Sequence, residues 1–120
     1  MKVLKFGGSS VASSENINKV ISIVKDSANK NKVAVVVSAL GGVTDLLLEA
    51  GNLACSGNKD YIKTFETIEE KHVQVVRELI PINNQSSVFG EIKKMLNKTK
   101  VYIISSDYML TDNSLHKYIN

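Results

Sequence analysis

Apolar and polar positions along the chain change period in an order that predicts a strand, a helix, a second strand and then helices alone. Val3, Leu4 and Phe6 suit a short buried strand at the amino terminus. Ile17, Val20, Ile21 and Val24 then follow the i, i+3, i+4, i+7 spacing of a helix face packed on a sheet. Ser13 or Ser14 can cap that helix, Glu15 in its first turn complements the dipole, and it ends near Ala28. After the polar turn Asn29-Lys30-Asn31, the β-branched run from Lys32 to Ser38 reads as a strand buried on both faces, as in a parallel sheet. A right-handed crossover puts both strands in one parallel sheet with their carboxyl ends on the same edge. Ligands of open α/β sheets bind at such an edge.

Beyond that point the period is helical. Thr44 or Asp45 begins a helix whose Leu46, Leu47, Leu48, Ala50 and Leu53 are too apolar for an exposed face; Ser56-Gly57-Asn58 ends it. A longer helix is predicted from Lys59 to Ile80, with Tyr61, Ile62, Phe65, Ile68, Val73, Val76 and Ile80 on one side, and Pro81 stops it. Ile82 to Gln85 reads as a connector, after which Ser86 or Ser87 caps a short helix with Val88, Ile92, Met95 and Leu96 inward. Gly90 weakens that helix by about 1 kcal/mol relative to Ala. Propensity favours a strand over Val101-Tyr102-Ile103-Ile104, and Thr111 or Asp112 can start a last helix running to Asn120.

The candidate chemistry lies where the first strand ends. Lys5-Phe6-Gly7-Gly8-Ser9-Ser10 places a cation, two positions without side chains and two hydroxyls at a strand-to-helix turn. Such a turn can aim N–H groups at an anion, the glycines can take φ > 0 if required, and the following helix adds its positive end. Lys5 offers a point charge for phosphate oxygens. The spacing is neither that of the P-loop nor that of the three-glycine dinucleotide fingerprint, and Gly7-Gly8 serves a plain tight turn equally well. Ser38 at the second strand's end and Thr44 at the next helix start can hold a small amino acid between them, or simply finish a strand and cap a helix. Gly41 and Gly42 keep the intervening loop close to a ligand, or only flexible.

These two blocks carry a resemblance. Lys5-Phe6-Gly7-Gly8-Ser9-Ser10, and then Val37-Ser38-Ala39 through Gly42-Val43-Thr44-Asp45, resemble the opening and the substrate loop of the aspartate kinases within the amino-acid kinase family. The family usually has Thr where this chain has Ser9; the hydroxyl is kept. The resemblance implies an α/β, three-layer parallel-sheet amino-acid kinase fold, of which the chain is the amino-terminal portion only. Residues 1–43 would form a β-α-β edge for phosphate and substrate, and residues 44–120 a mostly helical lobe like that of the longer enzymes, including those fused to homoserine dehydrogenase. The family has a helix at Val101 to Ile104, which sets the expectation there.

By the same resemblance Lys5 is catalytic, Lys5, Gly7, Gly8 and Ser9 bind the phosphates of ATP, and Ser38 and Thr44 bind aspartate. The implied reaction moves the γ-phosphoryl group of ATP to the β-carboxylate of aspartate, the first step toward lysine, threonine and methionine. Mg2+ would be bound mainly through the phosphates and not by a protein metal site. The carboxylate is already a nucleophile at neutral pH, so the protein's work is holding two anions in line and neutralising charge. The isolated segment is expected to be inactive, because further substrate-binding residues come later in the family. The full-length form is expected to be a homo-oligomer. Competing readings are a kinase acting on acetylglutamate or glutamate, and a fragment serving assembly or regulation without catalysis.

Composition narrows the alternatives. A net charge of +3, with lysines scattered among acids and a single arginine, Arg77, gives no basic stripe for nucleic acid. No apolar run is long enough to span a bilayer, and no secretory segment opens the chain. A single cysteine, Cys55, fits a reducing compartment, so the expected location is cytoplasmic. Cys55, His72 and His116 are assigned no chemistry, and the Tyr61, Phe65 and Ile68 stripe is read as core.

Overall fold

The two apolar runs pair as parallel strands. In the computed structural model, which describes residues 1–111 and gives 104–111 by backbone alone, β1 (Lys2–Phe6) lies beside β2 (Val33–Val37), with Lys2 opposite Val33 and Phe6 opposite Val37. A 3-10 turn over Gly8–Val11 follows β1 and leads into α1 (Ser14–Ala28). The remaining elements are α2 (Val43–Cys55), α3 (Tyr61–Leu79) and α4 (Ile82–Thr111). The architecture is α/β, with a parallel two-stranded sheet and four α-helices among the described residues.

α1 starts as its capping chemistry predicts, since the Ser13 side chain accepts the Asn16 backbone N–H at 3.2 Å. Strand alternation turns Leu4, Phe6, Val35 and Val37 toward α1, where they meet Ile17, Val20 and Val24. Val3, Lys5 and Val36 point to the other face. β2 is not buried on both faces as expected: Val36, on the face away from α1, is 50% exposed, Val3 on that face of β1 is 62% exposed, and even Val37 on the α1 side is 58% exposed at the strand's end. One helix layer covers one face of a sheet, and among the described residues nothing packs on the other.

The main core lies among the three later helices. Tyr61, Phe65, Ile68 and Val76 recur along one side of α3 and are buried, as the stripe predicts. Ala50 and Ala54, one turn apart and 0% exposed, let α2 approach closely, and Leu96 and Ile103 close the cluster from α4. Leu48 stays 63% exposed, so α2 is less buried than its composition suggests. Ile68→Ala is expected to destabilise the fold by about 2–5 kcal/mol, read as a lower urea midpoint. His72 packs along α3, with Nδ1 2.7 Å from the Ile68 carbonyl, an i−4 bond that gives it a structural role. α2 ends in a Schellman turn, with Gly57 at φ 73, its N–H on Ala54 O at 3.0 Å and the Asn58 N–H on Leu53 O at 2.9 Å.

Two boundaries differ from expectation. α2 begins at Val43 with Gly42 as its cap, one residue before Thr44. The connector predicted over Ile82 to Gln85 and the new helix at Ser86 or Ser87 are absent, because α4 starts at Ile82 and runs unbroken for 30 residues through Gly90. Pro81 stops α3 but also suits the start of α4, since its missing N–H would have had no partner there. Gln85 closes the corner by donating to Ile80 O at 2.9 Å and Arg77 O at 3.3 Å. Val101 to Ile104 lie within α4, so helix prevails over strand propensity there. α4 is described as far as Thr111; the last helix expected to run to Asn120, and His116 with it, lie over residues 112–120, outside the described residues.

Candidate functional site

The parallel ladder fixes where the two sequence blocks meet. Both strands end toward the same edge, and the Ser38 amide adds a further bond by donating to Phe6 O at 3.0 Å. A Cβ placed on Gly8 would stand 3.6 Å from Ser38 Oγ, so the glycine turn touches the residue expected to hold substrate. Gly41 comes closer still. A Cβ there would lie 2.7 Å from Ala12 Cβ and 2.8 Å from Ala12 Cα, and the Gly41 amide points to Val11 O at 3.4 Å. The lack of a side chain at Gly41 is thus what permits the second loop to rest on the first.

The first turn does not use the freedom of its glycines to take positive φ. Gly7 is extended (φ −78, ψ −178), Gly8 opens the 3-10 turn, and only Gly42 (φ 82) and Gly57 have positive φ among the described residues. The first N–H groups of a helical turn have no partner within it, so Gly8 and Ser9 still present donors at the strand's end. Ser10 closes the turn by donating to Gly7 O at 3.1 Å. The positive end of α1 is also not next to the glycines. It starts at Ser14, beyond the 3-10 turn, and Ser13 already caps it.

Lys5 is exposed and lies on the sheet face opposite α1. Among the described residues no carboxylate is within ion-pair distance of it. Ser9, Ser38 and Thr44 are exposed as well. Thr44 sits in the first turn of α2 rather than at its cap; α2 has no side-chain cap, so the Thr44 hydroxyl is not engaged in that role. The ladder therefore brings Gly8, Ser38, Gly41 and Gly42 to one edge, with Lys5 on the strand that leads there.

Residues of α3 adjoin this edge without any advance signal in the sequence. Lys71 Nζ lies 3.8 Å from where a Gly42 Cβ would be. Farther along α3, Gln74 and Glu78 line a cleft of about 170 Å³ with Ser13, Ser14 and Gly41. Ser14 Oγ donates to Glu78 Oε2, and Gln74 Nε2 donates to Glu78 Oε1 at 3.0 Å. The Ser14 hydroxyl first and the Gln74 amide second hold the Glu78 carboxyl below its ordinary range, outweighing desolvation. A depressed carboxyl pKa means that this tie is in place at neutral pH and lost as pH falls through the folded-state value. Nothing in the local pattern marked these positions, since polar residues on a helix face normally meet only solvent.

Among the described residues no group of three or more His, Cys, Asp or Glu side chains is placed to hold a metal ion. No described helix is long and apolar enough to cross a membrane.

The chain is similar to known proteins. The model of the amino acid kinase family matches residues 1–98. Aspartokinase 1, chloroplastic, of Arabidopsis thaliana is 31% identical over an alignment that covers 98% of this chain and 23% of the relative. Aspartokinase 3, chloroplastic, of the same plant is 41% identical with the same coverage. The crystal structure of Clostridium acetobutylicum aspartate kinase superposes with a TM-score of 0.62 at 28% identity, covering 100% of this chain and 29% of that one. The chain thus spans under a third of the length of these relatives.

Proposed function

The chain belongs to the amino acid kinase family, and on that footing we propose that it forms the phosphate- and substrate-binding edge of an aspartate kinase, with residues 1–43 as that edge and 44–120 as an adjoining helical lobe. The observation that carries the reading is the contact between the two blocks: Gly8 stands against Ser38 Oγ, and Gly41 rests on Ala12. An enzyme joining two anions needs its phosphate turn and its acceptor loop side by side, and the adjacency of the glycine turn and the 38–42 loop supports that reading.

In this reading Lys5 and the amides of Gly7, Gly8 and Ser9 bind the phosphates of ATP while the γ-phosphoryl group passes to aspartate, and Ser38 and Thr44 hold aspartate by its polar groups. Lys5 offsets negative charge as it moves from the attacking β-carboxylate to the oxygen of the departing ADP, with no proton to remove and no covalent enzyme intermediate. Mg2+ bound through the phosphates would supply further charge neutralisation, and no described side chain is assigned to it. The reading includes a cytoplasmic protein that is a homo-oligomer at full length. It has no nucleic-acid or membrane partner.

The test is aspartate-dependent ADP release by the full-length polypeptide carrying this chain, with hydroxylamine trapping of the acyl phosphate. Aspartyl hydroxamate is the expected product, and residues 1–120 alone are expected to form none. Turnover with acetylglutamate or glutamate but not aspartate, or no turnover at all, would overturn the assignment.

A further inference from the structure

The bonds that hold the glycine turn do not stop within the β-α-β unit. Asn16, in the first turn of α1, donates from Nδ2 to the Ser9 carbonyl at 3.1 Å, and its backbone N–H is fixed on Ser13 Oγ. Two residues earlier, Ser14 Oγ donates to Glu78, 64 positions away on α3. Gln74 holds the other oxygen of the same carboxylate. The path therefore runs from α3 through Ser14 into the first turn of α1, and from there through Asn16 to Ser9.

Stability alone is a poor reason for this chain of contacts, because a bond between exposed side chains adds little to folding. Its geometric effect is larger. The Ser9 carbonyl shares its peptide plane with the Ser10 N–H, which donates to Gly7 O at 3.1 Å, so fixing that carbonyl steadies the turn from Gly7 to Ser10 and with it the Gly8 and Ser9 amides it encloses. Glu78 is well suited to anchor the far end: its carboxylate lies by the amino end of α1, where negative charge is favoured, and both of its oxygens are engaged.

We propose that Glu78 is a positioning residue for nucleotide phosphate, acting through Ser14 and Asn16 to orient the amides of the Gly8–Ser9 turn. The inference rests on the reading of that turn as the phosphate site. It assigns Glu78 no contact with substrate.

The test uses the full-length polypeptide and its steady-state kinetics, with thermal midpoints to confirm folding. Glu78→Ala and Ser14→Ala are each expected to raise the KM for ATP by about 2- to 10-fold, the span of one net hydrogen bond, leaving the KM for aspartate unchanged. The double variant should be no worse than either single one, because both remove the same bond. Asn16→Ala, which cuts the last link, should show the same selective rise. Glu78→Gln keeps an oxygen acceptor for Ser14 and should restore the KM for ATP, which a purely electrostatic role would not predict. An unchanged KM for ATP in Glu78→Ala, equal rises in both KM values, additive effects in the double variant, or no rescue by Gln would each overturn the proposal. If the unsubstituted protein itself shows no aspartate-dependent turnover, the phosphate-site reading fails and the role of Glu78 falls with it; that outcome is visible before any variant is made.

Discussion

Lys5→Ala in the full-length polypeptide is expected to lower kcat by about 10²- to 10³-fold, the usual loss when one preorganised charge-stabilising donor is removed. The direction follows from placement. Lys5 is the penultimate residue of β1, exposed, with no described carboxylate to neutralise it. A cation so placed adds little to the fold, so the thermal midpoint should hardly move; exposed substitutions away from special features stay within about 0.5 kcal/mol. Lys5→Arg should recover only part of the rate, because a planar fork does not replace a compact point charge. The measurement is a coupled ADP assay beside a thermal melt. A kcat within twofold of the parent would remove Lys5 from the mechanism and leave the glycine turn as a structural feature.

Gly41→Ala is the second large effect, and it should reach stability and activity together. The added methyl would stand 2.7 Å from Ala12 Cβ and 2.8 Å from Ala12 Cα, atoms that cannot swing aside as the end of a long side chain could. Overpacking of this kind costs about 1–3 kcal/mol. Relief comes only by moving the loop over 38–42 away from the 3-10 turn, which separates Ser38 from Gly8. KM for aspartate and KM for ATP should therefore both rise, unlike the selective change expected at Glu78. Gly90→Ala is the control: a Cβ there meets nothing within 4 Å, and Gly90 lies inside α4, so the change should stabilise by about 0.5–1 kcal/mol. Equal melting curves for Gly41→Ala and the parent protein would show that the two loops are not in contact.

The sequence disclosed the elements whose causes are local. Ser13 lies three residues before the amide it caps, the Tyr61, Phe65 and Ile68 stripe repeats within one helix, and Ser56-Gly57-Asn58 carries its own turn chemistry. The crossover rule also placed the two sequence blocks on one edge, since a parallel pair leaves no other arrangement. What stayed hidden depends on partners distant in sequence. Pro81 punctuates the chain whether a loop or a helix follows, and what decides is Gln85 reaching back to the end of α3. The valines of β2 read the same whether one layer or two cover them. Glu78 and Ser14 lie 64 residues apart, so no window along the chain could join them. The glycine turn was legible as a turn, but its extended and 3-10 geometry was not, because glycine permits nearly every backbone conformation.

The pairing of Lys2 with Val33 carries a consequence for how the molecule assembles. Parallel neighbours separated by a whole helix cannot zip up from a hairpin, so chain entropy must be surrendered before any ladder bond repays it. The helical hairpin of α2 and α3 has no such delay. During refolding, amide protection at Ser38, whose partner is Phe6 O, should accordingly lag behind protection within α3. Binding competence would then be the last property to emerge, arriving only when the amino terminus closes onto a lobe already formed.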